Sequence, residues 1–172
     1  MNTHYGFRNR IATFFLACLI FSVHGAAGQK RLADNKYVCS EPKPEAICNA
    51  NNTCGSASTP CTVDIKRTAD SAAVEPGIPD AKANVPFCVK SGTTMTWKSL
   101  SKNTGFVVDF GPAPPFDPAG AIIGGSDPSP SVTATKPGCY KFSAGACVSG
   151  ASYGMCASVD AELIVTGVDK PK

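Results

Sequence analysis

The sequence predicts an all-β sandwich, and three observations carry that prediction. Apolar residues come in short runs rich in β-branched and aromatic side chains, several of them alternating with polar residues. The 16 Gly and 14 Pro among 172 residues interrupt the chain too often for long helices. No stretch carries the apolar stripe of an amphipathic helix.

Residues 1–27 read as a secretory signal peptide. Arg8 and Arg10 form a positive start, an apolar run covers 11–23, and small residues follow at Gly25, Ala26, Ala27 and Gly28. The run of about 13 residues is shorter than the roughly 20 that span a bilayer. Cleavage after Ala27 leaves about 145 residues, enough for one domain. No second apolar run reaches membrane length, so no span is expected in the mature chain.

Residues 28–60 read as a disulfide-tied N-terminal extension. Cys39, Cys48 and Cys54, with Cys61 just beyond, stand in a segment of Asn, Ser, Thr and Pro. So little apolar surface cannot order a chain, and crosslinks must do so. Residues 61–172 read as the sandwich itself. The run 61–65 alternates, with Val63 and Ile65 on one face. A second strand covers 85–90, with Pro86 at an edge or bulge. Ser91-Gly92 turns into 93–98, where Met95 and Trp97 share a face. Residues 105–110 give the clearest strand, with Phe106, Val108 and Phe110 on one side.

From 111 to 130 the pattern stops, in a stretch with six prolines and a short extended piece at 121–123. A loop this long is uncommon in a compact domain unless it is functional or disordered. It is therefore the candidate contact surface, with Phe116, Ile122 and Ile123 as apolar anchors. The alternative is a loop packed across one end of the sandwich. Strand character resumes at 131–135 and again at 139–143, where Tyr140 and Phe142 share a face. A Gly- and Ser-rich excursion carries Cys147 and Cys156, and 161–166 is the last strand.

Composition removes several chemistries. The two histidines, His4 and His24, both lie in the signal segment, so the mature chain lacks imidazole. That leaves no Ser/His or Cys/His nucleophile pair and no common zinc site. Once Arg8 and Arg10 are removed, 14 basic residues face 13 acidic ones, with no basic cluster. Nucleic-acid binding needs aligned Lys and Arg, and is not expected. Among the acids, Asp109, Asp117, Asp127, Asp160 and Glu162 could supply a carboxylate pair. Asp117-Pro118 and Asp127-Pro128 read instead as turn dipeptides, and Asp160 as a turn residue before a strand. Trp97 reads as core rather than as an exposed sugar platform. Asn51-Asn52-Thr53 is an N-glycosylation sequon, meaningful in a eukaryotic source.

Removing Cys18 with the signal leaves eight cysteines: Cys39, Cys48, Cys54, Cys61, Cys88, Cys139, Cys147 and Cys156. An even count in an exported chain, without Cys-x-x-Cys, implies disulfides. Cys147–Cys156 is the expected local pair. Cys88 stands alone on its strand and is expected to join the C-terminal group, at Cys139.

The order of pieces from Val85 onward resembles the cupredoxin family. They are Val85-Pro86-Phe87-Cys88-Val89-Lys90-Ser91-Gly92-Thr93-Thr94-Met95-Thr96-Trp97-Lys98, then Gly105-Phe106-Val107-Val108-Asp109-Phe110 and the Pro115-Phe116 loop. Gly138-Cys139-Tyr140-Lys141-Phe142 and Asp160-Ala161-Glu162-Leu163-Ile164-Val165 complete them, over about 80 residues. The resemblance implies a Greek-key β-sandwich. Copper-binding members use two His, one Cys and usually an axial Met. The first His is expected where Lys102-Asn103-Thr104-Gly105-Phe106 stands, and the second in 148–153, beyond Cys147. Neither stretch holds one. The fold is expected to carry over without electron transfer, and no cofactor is expected.

The sequence therefore predicts a noncatalytic, exported, disulfide-bonded sandwich, secreted or periplasmic. It would act as a binding module for a protein or glycan, or as part of a cell-envelope or extracellular structure. One alternative is a degenerate copper or redox protein using Met95, Met155 and cysteine. Another is a small hydrolase with two carboxylates about 5–9.5 Å apart. Alkylation of the denatured, unreduced mature protein should modify no thiol. Mass spectrometry showing two or more labelled cysteines would restore the metal reading.

Overall fold

A computed structural model describes residues 39, 43–56, 58–148 and 156–167. The expected signal segment and Met155 lie outside the described residues. The elements are a short helix α1 (Pro44–Ile47) and the strands β1 (Cys61–Arg67), β2 (Ala72–Pro76), β3 (Phe87–Lys90), β4 (Thr94–Lys98) and β5 (Thr104–Asp109), followed by β6 (Ile122–Gly124), β7 (Ser131–Thr133), β8 (Gly138–Val148) and β9 (Cys156–Thr166).

The strands form two sheets over one apolar core. The four-stranded sheet has the order β2-β1-β4-β7, and the five-stranded sheet β3-β9-β8-β5-β6. Two pairs are parallel, β1 with β4 and β3 with β9. The other named pairs are antiparallel. Alternation decides the inward face of each strand. Val63, Ile65, Met95 and Trp97 point inward from one sheet, and Phe106, Val108, Phe142 and Leu163 from the other.

Aromatic rings fill the space between the sheets. Trp97 meets Phe110 and Phe142 edge-on, at centroid distances of 6.1 and 5.8 Å. Phe110 stacks on Phe142 at 4.6 Å, and Phe116 meets Phe110 edge-on at 5.1 Å. Each such pair adds about 0.5–1.5 kcal/mol beyond its burial. Trp97 is fully buried, so its ring is core and offers no exposed sugar platform.

Phe116 corrects the reading of 111–130 as an exposed contact loop. It is 1 % exposed and Ile122 5 %, whereas Ile123 is 71 % exposed. Proline lacks an N–H, but its carbonyl still accepts. The backbone N–H groups of Thr135 and Lys136 both donate to the Pro115 carbonyl, at 2.9 and 3.2 Å. That contact and a bridge from Phe116 to Ala134 tie the loop to the end of β7 and drive the Phe116 ring inward. Ile122 and Ile123 are neighbours on β6, so alternation sends one in and one out.

The region 43–60 is held against the sandwich by crosslinks. Cys54 bonds Cys61, and both are buried in the core. Gly55 closes this loop with φ +68°, and a Cβ there would lie 2.7 Å from the Thr59 carbonyl oxygen. Cys48 bonds Cys88, Cys39 bonds Cys139, and Cys147 bonds Cys156. The expected Cys88–Cys139 bond therefore does not form. Register gives the reason: Ile164 of β9 is the Cα partner of both Cys88 and Cys139. The two cysteines are thus two strand spacings apart, about 10 Å, beyond the reach of a disulfide. Each bonds the N-terminal segment instead, one on either side of Ile164, which is fully buried.

Four elements depart from the sequence reading. β2 was not expected, because Ala72-Ala73-Val74-Glu75-Pro76 carries little strand propensity; pairing with β1 makes it. β8 and β9 are each 11 residues long and extend from either side into what reads as a Gly- and Ser-rich excursion, as far as Val148 and from Cys156. There Val107 packs over the backbone of Gly145, as a Cβ on that glycine would lie 3.3 Å from it. α1 has Pro near its start and spans only four residues. Replacing Phe116 by Ala should cost about 3–5 kcal/mol. Thermal unfolding followed by circular dichroism should show a midpoint lowered by about 10 °C or more, whereas Ile123→Ala should change stability by no more than about 0.5 kcal/mol.

Candidate functional site

The described parts of the stretches that the cupredoxin resemblance singles out meet at one point. Thr104 and Gly105 at the start of β5 are the register partners of Val148 and Cys147 at the end of β8. With residues 123–128 they line an open cleft of about 570 Å³ at one end of the molecule. Asn103 leads into β5 in the left-handed region, φ 59°. Backbone contacts anchor the opposite wall. Gly125 donates to the Pro128 carbonyl at 3.2 Å, and Ser99, just after β4, donates to the Gly125 carbonyl at 3.1 Å. Trp97 donates from its backbone to Pro130 at 2.9 Å. Gly124 allows close packing, since a Cβ there would lie 2.6 Å from the Pro130 ring and 2.7 Å from the Phe106 ring.

The lining is mostly backbone and small or neutral side chains. Thr104, Asn103 and Ser126 bring hydroxyl and amide groups, and Asp127 one carboxylate. Ile123 and Val148 form an apolar rim, 71 % and 42 % exposed. On the sheet beside it, Val107 is directly opposite Ile123 and also exposed. Phe116 does not reach this surface, and of the three expected apolar contacts Ile123 alone is presented to solvent.

Cysteine sulfur is committed elsewhere. Cys147 lines the cleft, but it is bonded to Cys156 and offers no thiolate to a metal. The sulfurs of Cys39 and Cys139 lie within 4.8 Å of a Glu162 carboxylate oxygen. They too are joined to each other, so that cluster holds no soft ligand while oxidised. Met95 is buried in the core.

Of the candidate carboxylates, Asp160 and Glu162 stand two residues apart on the face of β9 opposite the core residues Ala161 and Leu163, and the others lie on other segments. The Asp109 carboxylate accepts from Gly111 at 2.8 Å, and Asp160 pairs with Lys141 at 3.5 Å. Asp117 and Asp127 each precede a cis proline. Glu162 is buried on β9. Sequence reasoning passed over one polar group, Asp64 of β1, which is 6 % exposed. Its carboxylate accepts from Leu100 at 3.0 Å, and Lys66 is 3.7 Å from its other oxygen. Lys66 also donates to Glu75, the main cause of its raised pKa. Alternation placed Asp64 on the outer face, but only the course of the chain after β4 buries it.

Compared with the models of known protein families, the chain matches none, and no curated protein matches it. Among the described residues no helix is long and apolar enough to cross a membrane. With its disulfides intact, the mature protein should develop no intense blue charge-transfer band when Cu(II) is added. Absorption spectroscopy checks this, and the band would require a free Cys147 thiolate.

Proposed function

We propose that this chain is a noncatalytic, exported binding or structural module of cupredoxin-like, Greek-key type, secreted or periplasmic. The observation that carries the proposal is the cleft. One wall comes from Asn103, Thr104, Gly105 and Val148, within the two stretches where copper-binding members of the resembled family would place their ligands, with Cys147 beside them, and the other from 123–128. The lining presents glycine backbone, hydroxyl and amide groups, the single Asp127 carboxylate and an apolar rim. Such a lining complements a neutral partner surface, a protein segment or a glycan, better than a metal ion. Four disulfides support the oxidising compartment, and the signal-like segment at 1–27 supports export. The shared core of the Trp97 strand, the β5 strand and the two long strands supports the cupredoxin-like reading.

Gly105→Arg tests the proposal. A Cβ at Gly105 meets its nearest atom at an ordinary 3.7 Å, so the substitution fills the cleft without breaking the fold. Partners crosslinked in the native extracytoplasmic fraction, or glycans retained on an array, should bind the variant at least about tenfold more weakly, ~1.4 kcal/mol. Its melting temperature should hold. Equal binding by the variant and the native chain would remove the cleft from the function.

A further inference from the structure

We infer that the Cys147–Cys156 disulfide is a reversible thiol–disulfide exchange site, opened by a protein that carries a pair of thiols. The inference does not rest on the cleft having a ligand. It comes from the four disulfides themselves, which differ in exposure, in electrostatic surroundings and in what their loss would undo.

Exposure comes first, because exchange needs a thiolate to reach a sulfur. Cys54 and Cys61 are both buried, and so is Cys88 of the bond to Cys48. Cys39 and Cys139 are both half-buried. Of the eight disulfide cysteines Cys156 alone is exposed, and its partner Cys147 lines the open cleft.

Charge separates the two most accessible bonds. A Glu162 carboxylate oxygen lies within 4.8 Å of the Cys39 and Cys139 sulfurs. Its negative charge repels an incoming thiolate and disfavours one left behind. Next to Cys147 the chain carries a positive contact instead: the Arg67 guanidinium donates to the Ala146 carbonyl at 3.3 Å. The carboxylate of the cleft, Asp127, is exposed on the opposite wall, where water and salt screen it.

Register fixes the consequence of opening. Cys147 and Cys156 are the last partners of the β8–β9 ladder, and the pairs from Ala146↔Ala157 to Gly138↔Val165 hold the strands without them. Their Cα atoms are 4.2 Å apart, the spacing of a directly opposed, non-hydrogen-bonded pair. The reduced thiols therefore stay side by side, ready to close again. The bonds of Cys39 and Cys48 differ, spanning 100 and 40 residues. They hold the polar N-terminal segment, so opening them releases structure.

The step balances as a two-electron exchange. A partner thiolate attacks the exposed Cys156 sulfur, forms a mixed disulfide and expels Cys147 as a thiolate, which takes up a proton. The partner's second thiol, losing its proton, then attacks the partner sulfur of that mixed disulfide and releases Cys156, which is protonated in turn. The partner ends as a disulfide and this chain as a dithiol. Reduction thereby places a free Cys147 thiol in the wall of the cleft.

Native mature chain held in millimolar dithiothreitol, then quenched, alkylated and read by peptide mass spectrometry, tests this. Cys147 and Cys156 should be labelled together, at least about tenfold faster than any other pair, while circular dichroism stays native. Transfer to oxidised glutathione should restore the bond. A second measurement identifies the attacked sulfur. Cys147→Ser should take up oxidised glutathione at Cys156 at least about tenfold faster than Cys156→Ser does at Cys147. Four results would each overturn the inference: a bond that stays closed or fails to re-form, another disulfide opening as fast, all eight cysteines labelled as the fold is lost, or equal uptake by the two variants.

Discussion

The stack of aromatic rings between the two sheets is the contact on which the remaining geometry hangs. Trp97 comes from the four-stranded sheet, Phe142 from the five-stranded sheet, Phe110 from the residue just after β5, and Phe116 from the loop that follows. Each ring touches Phe110 or Trp97, so the cluster fixes the facing of the sheets and the path of the loop together. Interiors pack with few voids, and a ring this central has no alternative seat. Once Phe116 is held, the chain must return to the five-stranded sheet as β6. That return brings Ile122 inward, leaves Ile123 outward and builds one wall of the cleft.

Disulfides finish what a core of this size leaves undone. The outer face of the five-stranded sheet would expose Ile164, yet Cys88 and Cys139 on either side of it hold the N-terminal segment across that face. Taken alone, closing the 100-residue separation of Cys39 and Cys139 restricts the unfolded chain by about 4–5 kcal/mol. The same segment accompanies the β3 edge through Asn52 and Cys54. Covalent bonds thus order a polar segment that could not order itself, and in return it shields an apolar residue and a sheet edge. The other half of that face, around Val107 and Ile123, receives no such cover from the described residues.

Cleft and edge are products of the same strand. β6 is short because 111–130 spends its length reaching the core at Phe116 before rejoining the sheet. A short strand leaves its wall of the cleft to backbone and glycine, which suits contact with a neutral surface. Reactive groups are engaged by comparison: sulfur is bonded, and the carboxylates of Asp109 and Asp160 pair with Gly111 and Lys141.

Local pattern was enough to determine the all-β class and the inward residues of the strands. Val63 with Ile65, Met95 with Trp97, and Phe106 with Val108 all point inward as their alternation requires, because a strand gives its side chains only two directions. Cysteine parity in a chain with an export-like start likewise announced disulfides. Tertiary structure alone decided which cysteines meet, since Cys88 and Cys139 are separated by the width of β9, a distance set by register between strands far apart in sequence. It alone made β2 a strand and extended β8 and β9 through alanine and glycine, whose propensity is weak until a neighbouring strand supplies the ladder. It alone sent Phe116 inside and Ile123 out, because a proline-rich loop has no period to read, and its direction was fixed by what Pro115 could bond across the molecule.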